Sequence, residues 1–162
     1  MSGKRIAHRH SQALLALPVF FAISFAAAAG GILFPPGEWY QALERPPFAP
    51  PNWLFGPVWT LLYALIAVSG WLVWRRSGWG SRPIALWLLQ MTLNALWTPL
   101  FFGLNWMGAA AIEMALLWLS ILACVIVFRR VSRPAGWLMV PYLAWVGFAF
   151  VLNLGFWWLN HY

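Results

Sequence analysis

The sequence predicts an all-α integral membrane protein: a bundle of five transmembrane helices, with the N-terminus in the cytoplasm and the C-terminus outside. Three observations predict it. Of 162 residues, 63% are hydrophobic and only 8% are charged. A soluble domain carries about 25% charged residues, so this chain has too few to cover a water-facing surface. The apolar residues fall into five runs of roughly 18 to 25 residues, each enough to cross a hydrocarbon layer about 30 Å thick. Finally, nine of the ten Lys and Arg residues lie on one side of those runs, which the positive-inside rule assigns to the cytoplasm.

Taken in order, residues 1–13 read as a basic cytoplasmic tail carrying Lys4, Arg5 and Arg9, and 14–162 as the membrane domain. The first span covers about 14–34 and holds Ala22, Ala26 and Gly30 at i, i+4 and i+8, a small-residue ridge suited to close helix packing or a dimer contact. A cleaved signal peptide is the alternative for this start, given the basic lead and the alanines at 26–29, although the apolar run is long for one. A proline-rich stretch from Trp39 to Tyr63 then leads into the second span, with Pro46, Pro47, Pro50, Pro51 and Pro57 forbidding a long helix and favouring stiff, extended or turning backbone. It carries Trp39, Tyr40, Trp53, Phe55, Trp59 and Tyr63 as large flat faces, lies on the exterior side, and suits a structured cap over a cavity for a flat apolar ligand.

The second span covers about 57–74, the third 83–102, the fourth 107–128 and the fifth 134–158. Proline at or near the start of the second, third and fifth costs little, because the first N–H groups of a helix are unpaired anyway. Pro18, Pro99 and Pro141 fall inside spans and predict local kinks. Arg75, Arg76 and Arg82 follow the second span, and Arg129, Arg130 and Arg133 follow the fourth; Arg45 stands by itself on the other side. This asymmetry accounts for the formal charge of +7 without a nucleic-acid partner.

Three spans carry polar and aromatic groups at helical spacing. The second presents Trp59, Tyr63, Ile66 and Gly70; the third Gln90, Asn94, Trp97 and Phe101; the fifth Tyr142, Trp145, Ala149 and Asn153. Gly70 and Ala149 leave room beside the larger groups. If the stripes converge, a cavity with aromatic walls and amide donors lies under the loop. Gln90, Asn94 and Asn153 serve equally well as interhelical glue; Trp59, Trp97 and Trp145 lie too deep for an interfacial belt, and a binding role is favoured for them over plain core packing. Trp71, Trp74, Trp79 and Trp137 fall near the cytoplasmic boundary and Trp106, Trp157 and Trp158 near the outer one, as interfacial anchors do.

Glu113 is the one acidic residue inside a span, with Ser120 and Cys124 continuing its face. An intramembrane carboxylate raises the hypothesis of a proton- or ion-coupled carrier. A structural role is the simpler reading, with the side chain reaching interfacial water or pairing with Arg45. One cysteine excludes an internal disulfide, no histidine has partners at metal-ligand spacing, and no nucleophile–base–orienter set accompanies Glu113. No metal and no required cofactor are expected.

The segments E-W-Y-x-x-L-x-R-P-P from Glu38, P-P-x-W-x-F-G-P-V-W-T-L-L-Y from Pro50, Q-M-T-L-N-A-L-W-T-P-L-F-F-G from Gln90, P-Y-L-A-W from Pro141 and Leu152-Asn153 resemble the translocator protein family, also called tryptophan-rich sensory proteins or peripheral-type benzodiazepine receptors. The resemblance covers nearly the whole chain beyond the tail. It implies a five-helix membrane bundle, usually dimeric, with a ligand pocket opening toward the first loop. By motif, the pocket would include Trp39 and Tyr40, Trp59 and Tyr63, Gln90, Asn94 and Trp97, and Trp145 and Asn153. The family is associated with porphyrins, haem, sterols and synthetic ligands. Some bacterial members resemble light- and oxygen-dependent porphyrin-degrading catalysts, and Trp59 and Trp145 match the tryptophans that take part, so they would be the catalytic residues of that activity. Animal members carry a cholesterol motif, with a Tyr and an Arg after the fifth-helix Asn; residues 152–158 here have neither. A tetrapyrrole is therefore the expected ligand, bound in sensing, regulation or transport, with membrane lipid and a second copy of the chain as partners. The basic inner face and short tail suit a bacterial inner membrane, an outer membrane being the alternative.

Overall fold

The computed structural model describes residues 14–161. The basic tail at 1–13, with Lys4, Arg5 and Arg9, and Tyr162 lie outside the described residues. Four helices are long and apolar enough to cross a membrane, and a fifth, shorter apolar helix precedes them. They are α1 (Leu17–Leu33), α3 (Asn52–Ser77), α4 (Arg82–Gly103), α5 (Met107–Val131) and α6 (Arg133–Asn160). A short helix, α2 (Glu38–Ala42), sits in the loop between α1 and α3. No strand occurs among the described residues.

Each interruption of a span has a local cause. Proline lacks the N–H that would bond to the carbonyl four residues back. In α1 a turn at Ala16 separates helical Leu14 and Leu15 from the segment begun by Leu17 and Pro18. In α6 the helix stops at Leu138 and resumes at Val140, so the break falls at Met139, two residues before Pro141. In α4 the α-helix runs to Thr98, and Pro99–Gly103 forms a π turn whose wide rings are closed by Leu104 N–H on Pro99 O at 2.9 Å. A further break falls at Ala28 with no proline nearby, where Ala28 and Gly31 donate to carbonyls three residues back.

The helices alternate in direction, so Arg75, Arg76, Arg82, Arg129, Arg130 and Arg133 gather at one end. Arg75 stacks over Trp71 at 4.6 Å and Arg129 over Trp137 at 4.8 Å, the arrangement of a cation and an aromatic sharing a membrane boundary. Arg76 ties α3 to the end of α5 by donating to Val131 O at 2.7 Å. Helix α5 packs between α4 and α6, and α1 packs chiefly on α3. The lower core centres on Phe20, Ile66, Ile84, Trp87, Ile121 and Phe128, all fully buried. Trp87 is wedged against Gly70, where a Cβ would lie 2.6 Å from its indole, and donates to Ile66 O at 3.1 Å. The space expected beside Gly70 is therefore filled. A second cluster under the loop joins Tyr40, Phe101, Met107, Ala110, Leu152 and Phe156. Outside the bundle stand Leu61, Leu89, Ile112, Leu116, Leu119 and Val151, exposed apolar side chains suited to contact with lipid.

The α1 ridge divides. Gly30 turns inward, where a Cβ would meet Thr98 of α4 at 3.1 Å, while Ala22 and Ala26 are exposed on the outside.

Candidate functional site: a cavity under the first loop

The loop is fastened over the outer end of the bundle at three points. Asn160 at the end of α6 accepts from the Glu44 N–H at 2.8 Å and donates to Glu44 O at 2.9 Å, clasping the backbone from both sides. Pro46 is buried on Gly155, where a Cβ would come within 2.8 Å of its ring. Arg45 cross-braces the turn, donating to Asn52 Oδ1 at 2.9 Å and to Pro50 O at 3.0 Å. Its guanidinium also lies 6.0 Å from the Tyr40 ring centre. Burial pushes the Tyr40 phenol pKa up, and the Arg45 charge offsets part of that rise.

Beneath this loop is a cavity of about 590 Å³, within the range of roughly 300–1,000 Å³ typical of small-molecule sites. Tyr40 closes it from above; Trp59 and Tyr63 come from α3, Asn94, Trp97 and Phe101 from α4, and Ala149 and Asn153 from α6. These eight side chains were all candidates from sequence. The aromatic groups are mutually braced: Trp59 lies 5.4 Å from Tyr63, and Trp97 stacks on Phe101 at 5.0 Å with 22° between planes.

The amides bridge helices as well as lining the cavity. Asn94 accepts from the Tyr63 hydroxyl at 2.8 Å and donates to the Tyr142 hydroxyl at 2.9 Å, joining α3, α4 and α6. Asn153 accepts from the Trp97 indole at 3.0 Å and donates to Met107 O at 2.9 Å, joining α4, α5 and α6. Glue and cavity wall are thus the same residues. Each amide keeps a further N–H to offer.

Four candidates lie outside the wall. Gln90 is fully buried one turn below Asn94, donates to Trp87 O at 2.9 Å, and leaves its own carbonyl oxygen without a partner. Tyr142 is fully buried behind Asn94. Trp145 packs behind the front wall on Phe55 (5.8 Å) and Phe148 (5.5 Å), its buried indole N–H unpaired. Trp39 meets Phe101 edge-on at 5.8 Å without reaching the cavity.

Wall residues that the sequence reading missed include all of those from α1 and α5. Phe25, Ala28, Gly31 and Phe34 close one side, and Met114 and Leu117 the floor. No sequence signal separates them from lipid-facing positions, because a cavity for an apolar ligand and a lipid contact ask for the same side chains. Thr60 and Thr98, polar and also in the wall, carried a signal that the aromatic stripes overshadowed.

Glu113 is buried, with 7% exposure, and neither carboxylate oxygen has a partner among the described residues. The expected pairing with Arg45 does not form; the guanidinium is turned to Asn52 and Pro50. Nor does Glu113 reach the cavity wall. A second concavity, of about 630 Å³, lies against the loop on the lipid side of α6 between Pro46 and Trp158; its single polar side chain is His161.

Comparison with known proteins gives this architecture relatives. Residues 12–159 match the model of the TspO/MBR family. The chain is 39% identical over 148 residues to Protein CrtK of Rhodobacter capsulatus, covering 88% of this chain and 91% of that protein. It is 41% identical over 123 residues to the tryptophan-rich protein TspO of Archaeoglobus fulgidus, covering 75% and 80%. With the human translocator protein it shares 37% identity over 128 residues, 76% of each chain. A bundle of apolar helices capped by a Pro/Trp loop, matched over nearly its full length at this identity, makes the chain a member of the TspO/MBR family.

Proposed function

We propose that the protein binds a flat apolar ligand of the porphyrin or haem type in the cavity beneath the first loop, as a membrane-embedded sensor, regulator or transporter. One observation carries the reading: a cavity of about 590 Å³ whose walls are tyrosine, tryptophan and phenylalanine, with two amides that each retain an N–H for a polar edge. Stacking and burial on Trp59, Trp97 and Phe101 supply most of the affinity. Asn94 and Asn153 orient the ligand.

Saturable quenching of tryptophan fluorescence by protoporphyrin tests this. Ala149→Trp places an indole in the wall and is expected to weaken binding at least tenfold, while Trp145→Phe, one layer back, changes it less than threefold. Quenching by a titrated pigment that survives Ala149→Trp unchanged would remove the cavity as its site.

The light-dependent reading draws on Trp59, which faces the cavity, and on Trp145, which stands behind Phe55. Illumination of the pigment-bound protein in air, followed by absorption spectroscopy, separates binding from breakdown. We further place the protein in a bacterial inner membrane, on the strength of its basic inner face, and as a homodimer, for which the exposed Ala22 and Ala26 are a candidate face.

A further inference from the structure

We propose that Arg45 reads a carboxylate on the ligand, so that the cavity selects flat apolar molecules with an anionic edge over neutral ones of the same shape. The inference rests on the reading of the cavity as a ligand site and adds to it the chemical class of the ligand's polar end.

Four observations carry it. Arg45 touches two residues of the cavity wall: it donates to Asn52, and its guanidinium lies over Tyr40. It is the single Lys or Arg on the outer side of the membrane domain, since 104–106 and 159–162 contain none. It makes no ion pair with any described carboxylate. And no acidic side chain lines the cavity.

The stoichiometry of donors points the same way. A guanidinium has five N–H groups in a planar fork and no acceptor. Two are engaged, by Asn52 Oδ1 and Pro50 O, and a further one faces the Tyr40 phenol oxygen; the bonds to Asn52 and Pro50 hold the fork on a proline-stiffened turn. The rest of the fork is exposed, beside Tyr40 and Asn52 of the wall, though Arg45 is not itself a wall residue. The Asn52 side-chain N–H groups are unspent, since only Asn52 Oδ1 takes part in the Arg45 bond. Arg45 and Asn52 thus present several donors and a full positive charge where a ligand lying on Trp59 and Trp97 would leave one edge exposed. Carboxylate is the group that such a fork binds in two-point fashion.

Protoporphyrin and its dimethyl ester, which differ only in the charge of their propionate arms, test this on the full chain in lipid nanodiscs. The quantity compared is the change each ligand's affinity undergoes on Arg45→Gln, so that unequal partition of the two pigments into lipid cancels. The expected result is a loss of about tenfold for the acid and less than twofold for the diester. Equal losses for both would mean that Arg45 only shapes the loop, and no loss for either would mean that it does not meet the ligand; each overturns the inference while leaving the cavity reading in place. If neither pigment binds the unmutated protein, the cavity reading fails and the inference falls with it.

Discussion

Asn94→Leu is the perturbation that most directly probes how the site is built. The two side chains have the same number of heavy atoms, so the change removes polarity and leaves no void. It deletes two hydrogen bonds at once, from Tyr63 at 2.8 Å and to Tyr142 at 2.9 Å. Interhelical hydrogen bonds in a membrane average about 0.6 kcal/mol and reach about 1.7, so two give roughly 1 to 3 kcal/mol. The upper half is expected here, because Tyr142 is fully buried and cannot exchange its lost partner for water. Reversible unfolding in mixed detergent micelles measures the loss, and a double-mutant cycle with Tyr142→Phe assigns it. If the bridge is real, the two changes are non-additive by about 0.6 to 1.7 kcal/mol. Additivity within about 0.3 kcal/mol, the scatter for independent sites, would refute the bridge and with it the claim that Asn94 holds three helices together.

Three other outcomes are expected. Gly70→Ala puts a Cβ 2.6 Å from the Trp87 indole and 3.0 Å from the Phe20 ring; neither buried ring can withdraw, so unfolding should register a loss of about 1 to 3 kcal/mol, and unchanged stability would show that Trp87 is not wedged there. Asn160→Ala removes both bonds of the Glu44 clasp, and hydrogen exchange at the Glu44 amide should accelerate; unaltered protection would mean that Pro46 on Gly155 secures the loop without it. Glu113→Gln removes a carboxylate that has no partner, so stability should hold or rise by up to about 1 kcal/mol; a loss beyond that would reveal that the carboxylate is stabilised in the fold.

The bundle and most of its inward face were legible in the sequence. Length and hydropathy mark a span by themselves, because in hydrocarbon the backbone must satisfy its own hydrogen bonds and a helix does so within one segment. Charge asymmetry orients the spans for a similarly local reason. The stripes on α3, α4 and α6 were visible because amides and tyrosines are rare enough in a membrane helix to mark an interior face. The same pattern misplaced Gln90, Tyr142 and Trp145 in the wall, since helical spacing gives the face of a residue but not its depth behind it. Gly70 shows the limit from the other side: it was read as room, and Trp87, which no motif singled out, fills it.

What the sequence alone determined, then, is a five-helix membrane domain, the gathering of its basic residues at one end and a proline-stiffened aromatic loop at the other. Each follows from local chemistry along one stretch of chain. Only the tertiary structure decided that α1 and α5 complete the cavity, that Asn94 and Asn153 join helices while lining it, that Arg45 braces the loop in preference to pairing with Glu113, and that Glu113 is buried without a partner. These depend on which side chains from distant stretches meet, and an apolar residue facing a cavity is chemically the same as one facing lipid.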